Sequence, residues 1–353
     1  MNQIRVKIGV RLFVLWLIVG SAACSAQTAD VAGAEPAARS HSVHITLAAQ
    51  NMENFFDAFD DAYTWDEDAW PKPRRETEPM GKLLKSIDPD FIACEEIENV
   101  GILTRFRDWN FAGEGYDYIW TNYMQGQRGI NNGFISRVPV GAIMLRKFTT
   151  LTLPGEAKKW FYARDLISVE LQPASDVSIT VYVVHLKSKR DSRDDPNSNK
   201  WRLAEATGLA KLVRQQLEAD PDARIVVTGD FNDTPDSAPI KTLLSTGLID
   251  PHASIPAEDR ITYLREPYRS TIDYMLLSPA MAKHITPGSA KIVGKTTEET
   301  GSDHAAVAAS FDLPTADADA RAGWKTDFPI KPIKTMLKPR KAQQENDKPA
   351  YSK

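Results

Sequence analysis

The chain has 353 residues, a formal net charge of −4 and two cysteines. That length supports one large core or two small ones, and two cysteines exclude a scaffold built on disulfides. The mild acidity excludes a dedicated nucleic-acid binder with an overall basic face, though not an enzyme that gathers cations locally at a site.

The N-terminus reads as an export signal. Arg5, Lys7 and Arg11 precede an apolar stretch over residues 12–20, and Ser21, Ala22 and Ala23 lead to Cys24. The stretch is too short to read as a membrane span. Two processing routes fit. Residues 21–24 resemble a bacterial lipobox, with Ser21 where Leu is usual, which would lipidate Cys24; ordinary cleavage would fall after Ala23 or Ala26. The expected location is the periplasm or the outer membrane as a lipoprotein, otherwise the extracellular space. With Cys24 lipidated or removed, Cys94 stands alone. It reads as a small buried residue, because Glu95 and Glu96 follow it and disfavour a reactive thiolate.

Residues 25–41 are Ala-rich and aperiodic, as in a tether. Residues 42–313 show no internal linker and are expected to form one domain. Residues 314–353 are rich in Lys and Pro and read as a basic, solvated tail, with Trp324 and Phe328 as candidates to pin its first part.

Within the domain, residues 44–49 alternate as a strand running into Asn51. The acidic segment 60–73, with Trp65 and Trp70, reads as a loop. Residues 80–87 form an amphipathic helix that stops at Asp88-Pro89, since the residue before proline disfavours helix. Residues 90–94 are a buried strand ending in Glu95 and Glu96, and Glu98 and Asn99 read as a helix start. Strands follow at 116–120, 133–137 and 140–145. Segments 166–171 and 178–184 pair as neighbours, the second ending at His185. Residues 199–217 carry Leu203, Ala206, Leu209, Ala210, Val213 and Leu217 at helical spacing. Strands at 224–228, 270–277 and 305–311 deliver Asp230, carry Asp273, and follow Asp303-His304. Many strands with few intervening helices predict two mixed sheets packed together, with helices outside.

Five polar motifs stand at ends of apolar runs: Gln50-Asn51-Met52-Glu53-Asn54, Glu95-Glu96-Ile97-Glu98-Asn99, Gly229-Asp230-Phe231-Asn232, Thr271-Ile272-Asp273-Tyr274 and Gly301-Ser302-Asp303-His304. Asn51 and Glu96 offer an amide oxygen and a carboxylate, which suit a hard cation such as Mg2+. Asp230 and Asn232 share one side of an extended segment, so one can take a proton from water while the other contacts phosphate. Asp273 can set the tautomer and charge of His304. His185, followed by Lys187 and Lys189, adds an imidazole and positive charge for a phosphate.

In this order the motifs resemble the endonuclease/exonuclease/phosphatase superfamily, over residues 43–313. That superfamily includes pancreatic-type deoxyribonucleases, abasic-site endonucleases, inositol polyphosphate 5-phosphatases and bacterial sphingomyelinases. Arg128-Gly129-Ile130-Asn131, Ser136-Arg137-Val138-Pro139 and His185-Leu186-Lys187-Ser188-Lys189 are similar to its secreted bacterial nuclease-like branch. The resemblance implies a four-layer α/β sandwich of two packed, mostly antiparallel mixed sheets flanked by helices. It implies metal ligation by Asn51, Glu96 and Asp303, with Glu53 assisting through water. It implies catalytic roles for His185, Asp230, Asn232, Asp273 and His304, and substrate contacts from Arg164 and Lys187. Mg2+ is the expected ion, with Mn2+ or Ca2+ as alternatives and one metal as the default. Three departures stand out: Glu95 where Gln usually precedes the metal Glu, Asn131 for a common Asp, and Val184 where Asn is frequent.

The activity expected is hydrolysis of a phosphodiester by an exported or lipid-anchored nuclease, acting as a monomer on nucleic acid. A phosphatase or lipid phosphodiesterase of the same fold is the alternative, although no clear aromatic hairpin for membrane contact is legible. The intact polar set argues against a catalytically inactive binding protein.

Overall fold

The computed structural model describes residues 41–59, 70–122 and 128–324. Cys24 with the signal and tether, Trp65, Phe328 and most of the tail lie outside the described residues.

In chain order the elements are β1 (His41–Phe55), α1 (Arg74–Ile87), β2 (Phe91–Ile97), α2 (Val100–Phe111), β3 (Tyr118–Thr121), β4 (Asn131–Ser136), β5 (Val140–Leu145), β6 (Ile167–Ala174) and β7 (Val177–His185). Then come α3 (Asn199–Ala219), β8 (Ile225–Asp230), α4 (Ala238–Leu244), β9 (Asp273–Leu277), α5 (Pro279–Ala282), β10 (Lys291–Val293), α6 (Thr297–Thr300) and β11 (Ala306–Thr315). They build a six-stranded sheet, β10-β11-β1-β2-β4-β3, and a five-stranded sheet, β5-β6-β7-β8-β9.

The period of two in the strands sorts side chains into layers. Val43, Ile45 and Leu47 of β1, Phe91 and Ala93 of β2 and Phe311 of β11 meet Val181, Val183, Val226 and Met275 between the sheets. The alternate residues face helices. Ile92, Cys94 and Ile135 pack on Met80, Leu84 and Phe106 of α1 and α2. Val184, Ile225 and Val227 pack on Leu209, Ala210 and Val213 of α3. The result is helix, sheet, sheet, helix, the sandwich expected from the sequence. Cys94 is buried and free, as predicted.

Several boundaries move. Helix α1 starts at Arg74, six positions before the sequence reading: the amides of Glu76 and Thr77 already donate to Pro73 O (2.9 and 3.2 Å), and the helix continues through Pro79. It ends where expected, with Asp88 left-handed and its N–H on Leu84 O. Of α2 only the start was legible: Asn99 Oδ1 accepts from Ile102 N at 3.0 Å. Strand β9 begins at Asp273 rather than 270, since Thr262 Oγ1 captures the N–H groups of Ile272 and Asp273. Strand β11 runs to Thr315, and Trp324, 7% exposed, packs on the inter-sheet core with Nε1 on Pro173 O at 2.9 Å. The end of β11 and Trp324 therefore pack with the domain.

Strand direction places the site. β1 and β2 are parallel, so both end at one edge of the first sheet; β11 is antiparallel to β1 and begins there. β7 and β8 are parallel and β9 antiparallel to β8, so His185 and Asp230 pair in register and Asp230 faces Asp273. Six termini that are remote in sequence thus meet at one edge of the sandwich.

Candidate active site

Local backbone exceptions aim the side chains. Glu53, Asn54, Glu96 and Asn232 are left-handed, with φ of 47°, 48°, 61° and 53°. Non-glycine residues resist this conformation, and its cost, about 1–3 kcal/mol each, is tolerated where surroundings over-determine it. The β1–β2 register shifts between Asn51 and Phe55, and the β2–β4 register between Cys94 and Ile97. Such bulges re-aim side chains. Glu96 thereby lines the catalytic pocket and accepts Asn54 N on Oε2 at 2.9 Å.

Glu95 instead points inward, fully buried, and among the described residues neither of its oxygens accepts a hydrogen bond. Burial first, then the charges of Asp273 and Asp230, push its carboxyl well above the usual range. Gly229 makes room for it: at φ 129°, a Cβ there would stand 2.2 Å from Val184 O and 2.6 Å from Glu95 Oε1.

Asp230 is buried at the centre. Its Oδ2 accepts from Asn51 Nδ2 (3.2 Å) and Asn232 Nδ2 (3.0 Å), and its Oδ1 from Asn232 N (2.7 Å). His185 Nε2 lies 3.4 Å from the same Oδ2 and 3.9 Å from Glu96 Oε1. Burial, then the charge of Asp273, raises Asp230. Burial, then Arg164, holds His185 well below the usual imidazole range, so its ring is neutral. His185 Nδ1 makes no hydrogen bond among the described residues.

Opposite stands an ion pair. His304 Nδ1 lies 3.1 and 2.9 Å from the two Asp273 oxygens. Burial disfavours the imidazolium, yet Asp273, Asp230 and Asp303 together raise it well above its ordinary value. Tyr263 packs edge-on against the ring at 5.2 Å. Asp303 is raised to about 6 by burial, with Glu53 and Glu96 adding to it and His304 and Arg265 opposing. Its amide donates to Glu53 Oε2 at 2.9 Å, and Arg265 bridges Glu53 and Asp303.

The structure brings together Asn51, Glu96, His185, Asp230, Asn232, Asp273, Asp303 and His304, and Arg164 joins their pocket with Nη1 on Leu186 O at 3.2 Å. Lys187 is placed differently. Its ammonium turns toward the Trp201 ring, 5.7 Å away, and lines an adjacent groove. Asn131 is structural, donating to Glu98 O at 2.7 Å. Tyr263 and Arg265 line the pocket without having been foreseen, and so does Arg128, which stood in a quoted motif without a site role. Only a basic residue beside Gly129 and another near a polar turn could have hinted at the two arginines.

The donor chemistry fits a hard divalent ion. Glu96 and Asp303 each have one oxygen engaged, by Asn54 N and by Arg265 Nε, while the other makes no hydrogen bond among the described residues. Asn51 Oδ1 accepts one bond, from Glu53 N at 2.9 Å, which leaves a second lone pair. Asp230, Asp273 and His304 also present ligand atoms within 4.8 Å of one another. Ligation there would need a deprotonated ring nitrogen on His304, which Asp273, Asp230 and Asp303 hold in the charged form, so the oxygen set is the better seat.

This sandwich and site define a phosphoester hydrolase architecture. The model of the Endonuclease/Exonuclease/phosphatase family matches residues 46–252, more than half of the chain, and the chain belongs to that family. Its members use divalent metals on phosphoester bonds. Solved structures agree in fold. An endonuclease/exonuclease/phosphatase from Beutenbergia cavernae superposes with a TM-score of 0.54 at 15% identity, covering 77% of this chain and 72% of its own. One from Bacteroides vulgatus gives 0.53 at 16%, covering 76% and 99%. The human Nocturnin catalytic domain gives 0.52 at 16%, covering 76% and 94%. No curated protein matches the chain.

Proposed function

We propose that the protein is an exported, Mg2+-dependent nuclease that hydrolyses phosphodiesters in nucleic acid. One observation carries this: a buried, raised carboxylate (Asp230) stands beside a buried Asp273–His304 ion pair, with ligand atoms within 4.8 Å of one another, at a pocket of about 780 Å3 whose lining includes Arg128, Arg164, Lys189, Arg190 and Arg265 as well as Glu53, Glu96 and Asp303. A phosphate diester is the anion such a wall favours.

Asp230, held by Asn51 and Asn232, accepts a proton from the attacking water at Oδ1 or Oδ2. The charged His304, oriented by Asp273, donates a hydrogen bond to a phosphate oxygen and stabilises charge as it develops. Neutral His185 contacts the phosphate or leaving oxygen through Nε2; as the water oxygen bonds to phosphorus the P–O bond to the leaving oxygen breaks, and that oxygen takes its proton from solvent. Arg164, desolvated and fixed on Leu186 O, holds the substrate's charge without moving. A divalent ion on Glu96, Asp303 and Asn51 would polarise the phosphate when bound. Export and lipid anchoring at Cys24 rest on the basic, apolar, small-residue pattern of residues 1–24.

The test is cleavage of DNA and RNA by the chain lacking residues 1–24, with Mg2+ or EDTA, beside His304→Ala. Phosphomonoesters and sphingomyelin form the control panel. Metal-dependent nicking that disappears in His304→Ala is expected. Turnover of only a monoester or lipid would overturn the substrate assignment.

A further inference from the structure

We infer that the basic groove beside the catalytic pocket seats the unpaired strand flanking the scissile phosphate, making single-stranded nucleic acid the preferred substrate. This rests on the nuclease reading and deepens it.

The groove encloses about 730 Å3 and shares Arg128, Arg164, Ser188 and Arg190 with the catalytic pocket, so the two form one path. Farther along it stand Lys147, Lys158, Lys159 and Lys187. Among the described residues no acidic side chain lines it, in a chain whose net charge is −4. Seven cations in one concavity of an acidic protein make a track for a polyanion.

Two aromatic rings edge the track: Phe148 is 80% exposed and Phe161 46%. Their supports are rigid. Leu151 and Trp160 exchange both backbone hydrogen bonds, at 2.8 and 3.0 Å. Trp201 Nε1 donates to Phe161 O at 2.8 Å, and Lys147 Nζ to Ala163 O at 2.7 Å. Buried Glu205 holds the amides of Ala163 (2.7 Å) and Lys187 (2.6 Å), tying the two walls together.

Cations alone would serve a duplex equally well. Exposed rings beside them serve only bases whose faces are free, because a duplex keeps its bases stacked inside. A membrane-binding device would put its cations around an apolar protrusion; here they line a concavity that runs into the active site.

The experiment compares the chain lacking residues 1–24 with Phe148→Ala/Phe161→Ala and Lys158→Glu/Lys159→Glu. Substrates are a labelled single strand, its duplex, and the small diester bis(p-nitrophenyl) phosphate, all with Mg2+; sedimentation with phosphatidylserine vesicles is run alongside. The aromatic variant is expected to lose about 5-fold or more in kcat/KM per ring on the single strand, with duplex and small-diester rates unchanged. The lysine variant should weaken both nucleic acids and flatten the single-strand salt dependence by about 1.4 log units per log unit of salt, roughly 0.7 for each phosphate contact. Equal losses on strand and duplex in the aromatic variant, or no loss in it, would overturn the inference while leaving the nuclease reading intact. Vesicle binding lost in the aromatic variant, with strand cleavage untouched, would assign the groove to lipid instead. Turnover of the small diester without cleavage of any nucleic acid would overturn both readings.

Discussion

Replacing Glu205 by Gln isolates one buried charge that supports both walls of the substrate path. Glu205 on α3 is completely buried, and burial raises its carboxyl from 4.5 to about 7 against the opposing amides of Ala163 and Lys187 and the charges of Arg164 and Lys187. Below pH 4.5 it is protonated, folded or unfolded. Between 4.5 and about 7 the unfolded chain releases the proton and the fold retains it, so stability falls as pH rises; above that window the full cost is present. At 1.36 kcal/mol per tenfold change in proton affinity, the loss is about 3 kcal/mol. Gln has the same shape and never ionises. Its NH2 must face one of the two amide donors, which costs about 1–3 kcal/mol at every pH. Urea denaturation of both proteins from about pH 5 to about pH 8 reads the difference, in which all other titrating groups cancel. The Gln variant should be the less stable at the acid end, and the gap should close by about 3 kcal/mol toward the alkaline end. Parallel stability profiles would show that Glu205 ionises normally and refute the argument.

Asp273→Asn keeps an oxygen near His304 Nδ1 but removes the charge that contributes most to raising the imidazolium. Activity should fall about 10²- to 10³-fold, and the alkaline limb of the pH–rate profile should move to lower pH; an unmoved limb would clear Asp273 of this role. Gly229→Ala forces a Cβ to within 2.2 Å of Val184 O at φ 129°. It should cost more than about 2 kcal/mol, lowering Tm by about 4 °C or more, and a wild-type melting curve would contradict the packing described.

The strands that carry the site were legible because their alternation is local: β1, β2, β7, β8 and β11 each announce a buried face over a few residues. Short elements were not. β10 spans three residues and α4 seven, too few to show a period. Within the site, Asn51, His185, Asp230, Asp273 and His304 were found because each stands at the end of an apolar run. The division of labour between Glu95 and Glu96 was implied only by the family resemblance, since two adjacent identical residues do not show it; the left-handed backbone at Glu96 sends that one to the pocket and leaves Glu95 beneath Gly229. Lys187 shows the same limit: its backbone N–H is held by Glu205, and its side chain is free to turn to Trp201. Arg128 stood in a quoted motif that gave it no role, and Arg265 comes from a loop with no pattern of its own; they reach the carboxylate side through Asn54 and Glu53. The sequence by itself determined which segments are strands and which chemical groups terminate them, since both follow from neighbours along the chain. Which termini meet was decided only by the tertiary structure. Convergence depends on two parallel and two antiparallel pairings between remote strands, and those ladders form only when both sheets close on their shared core.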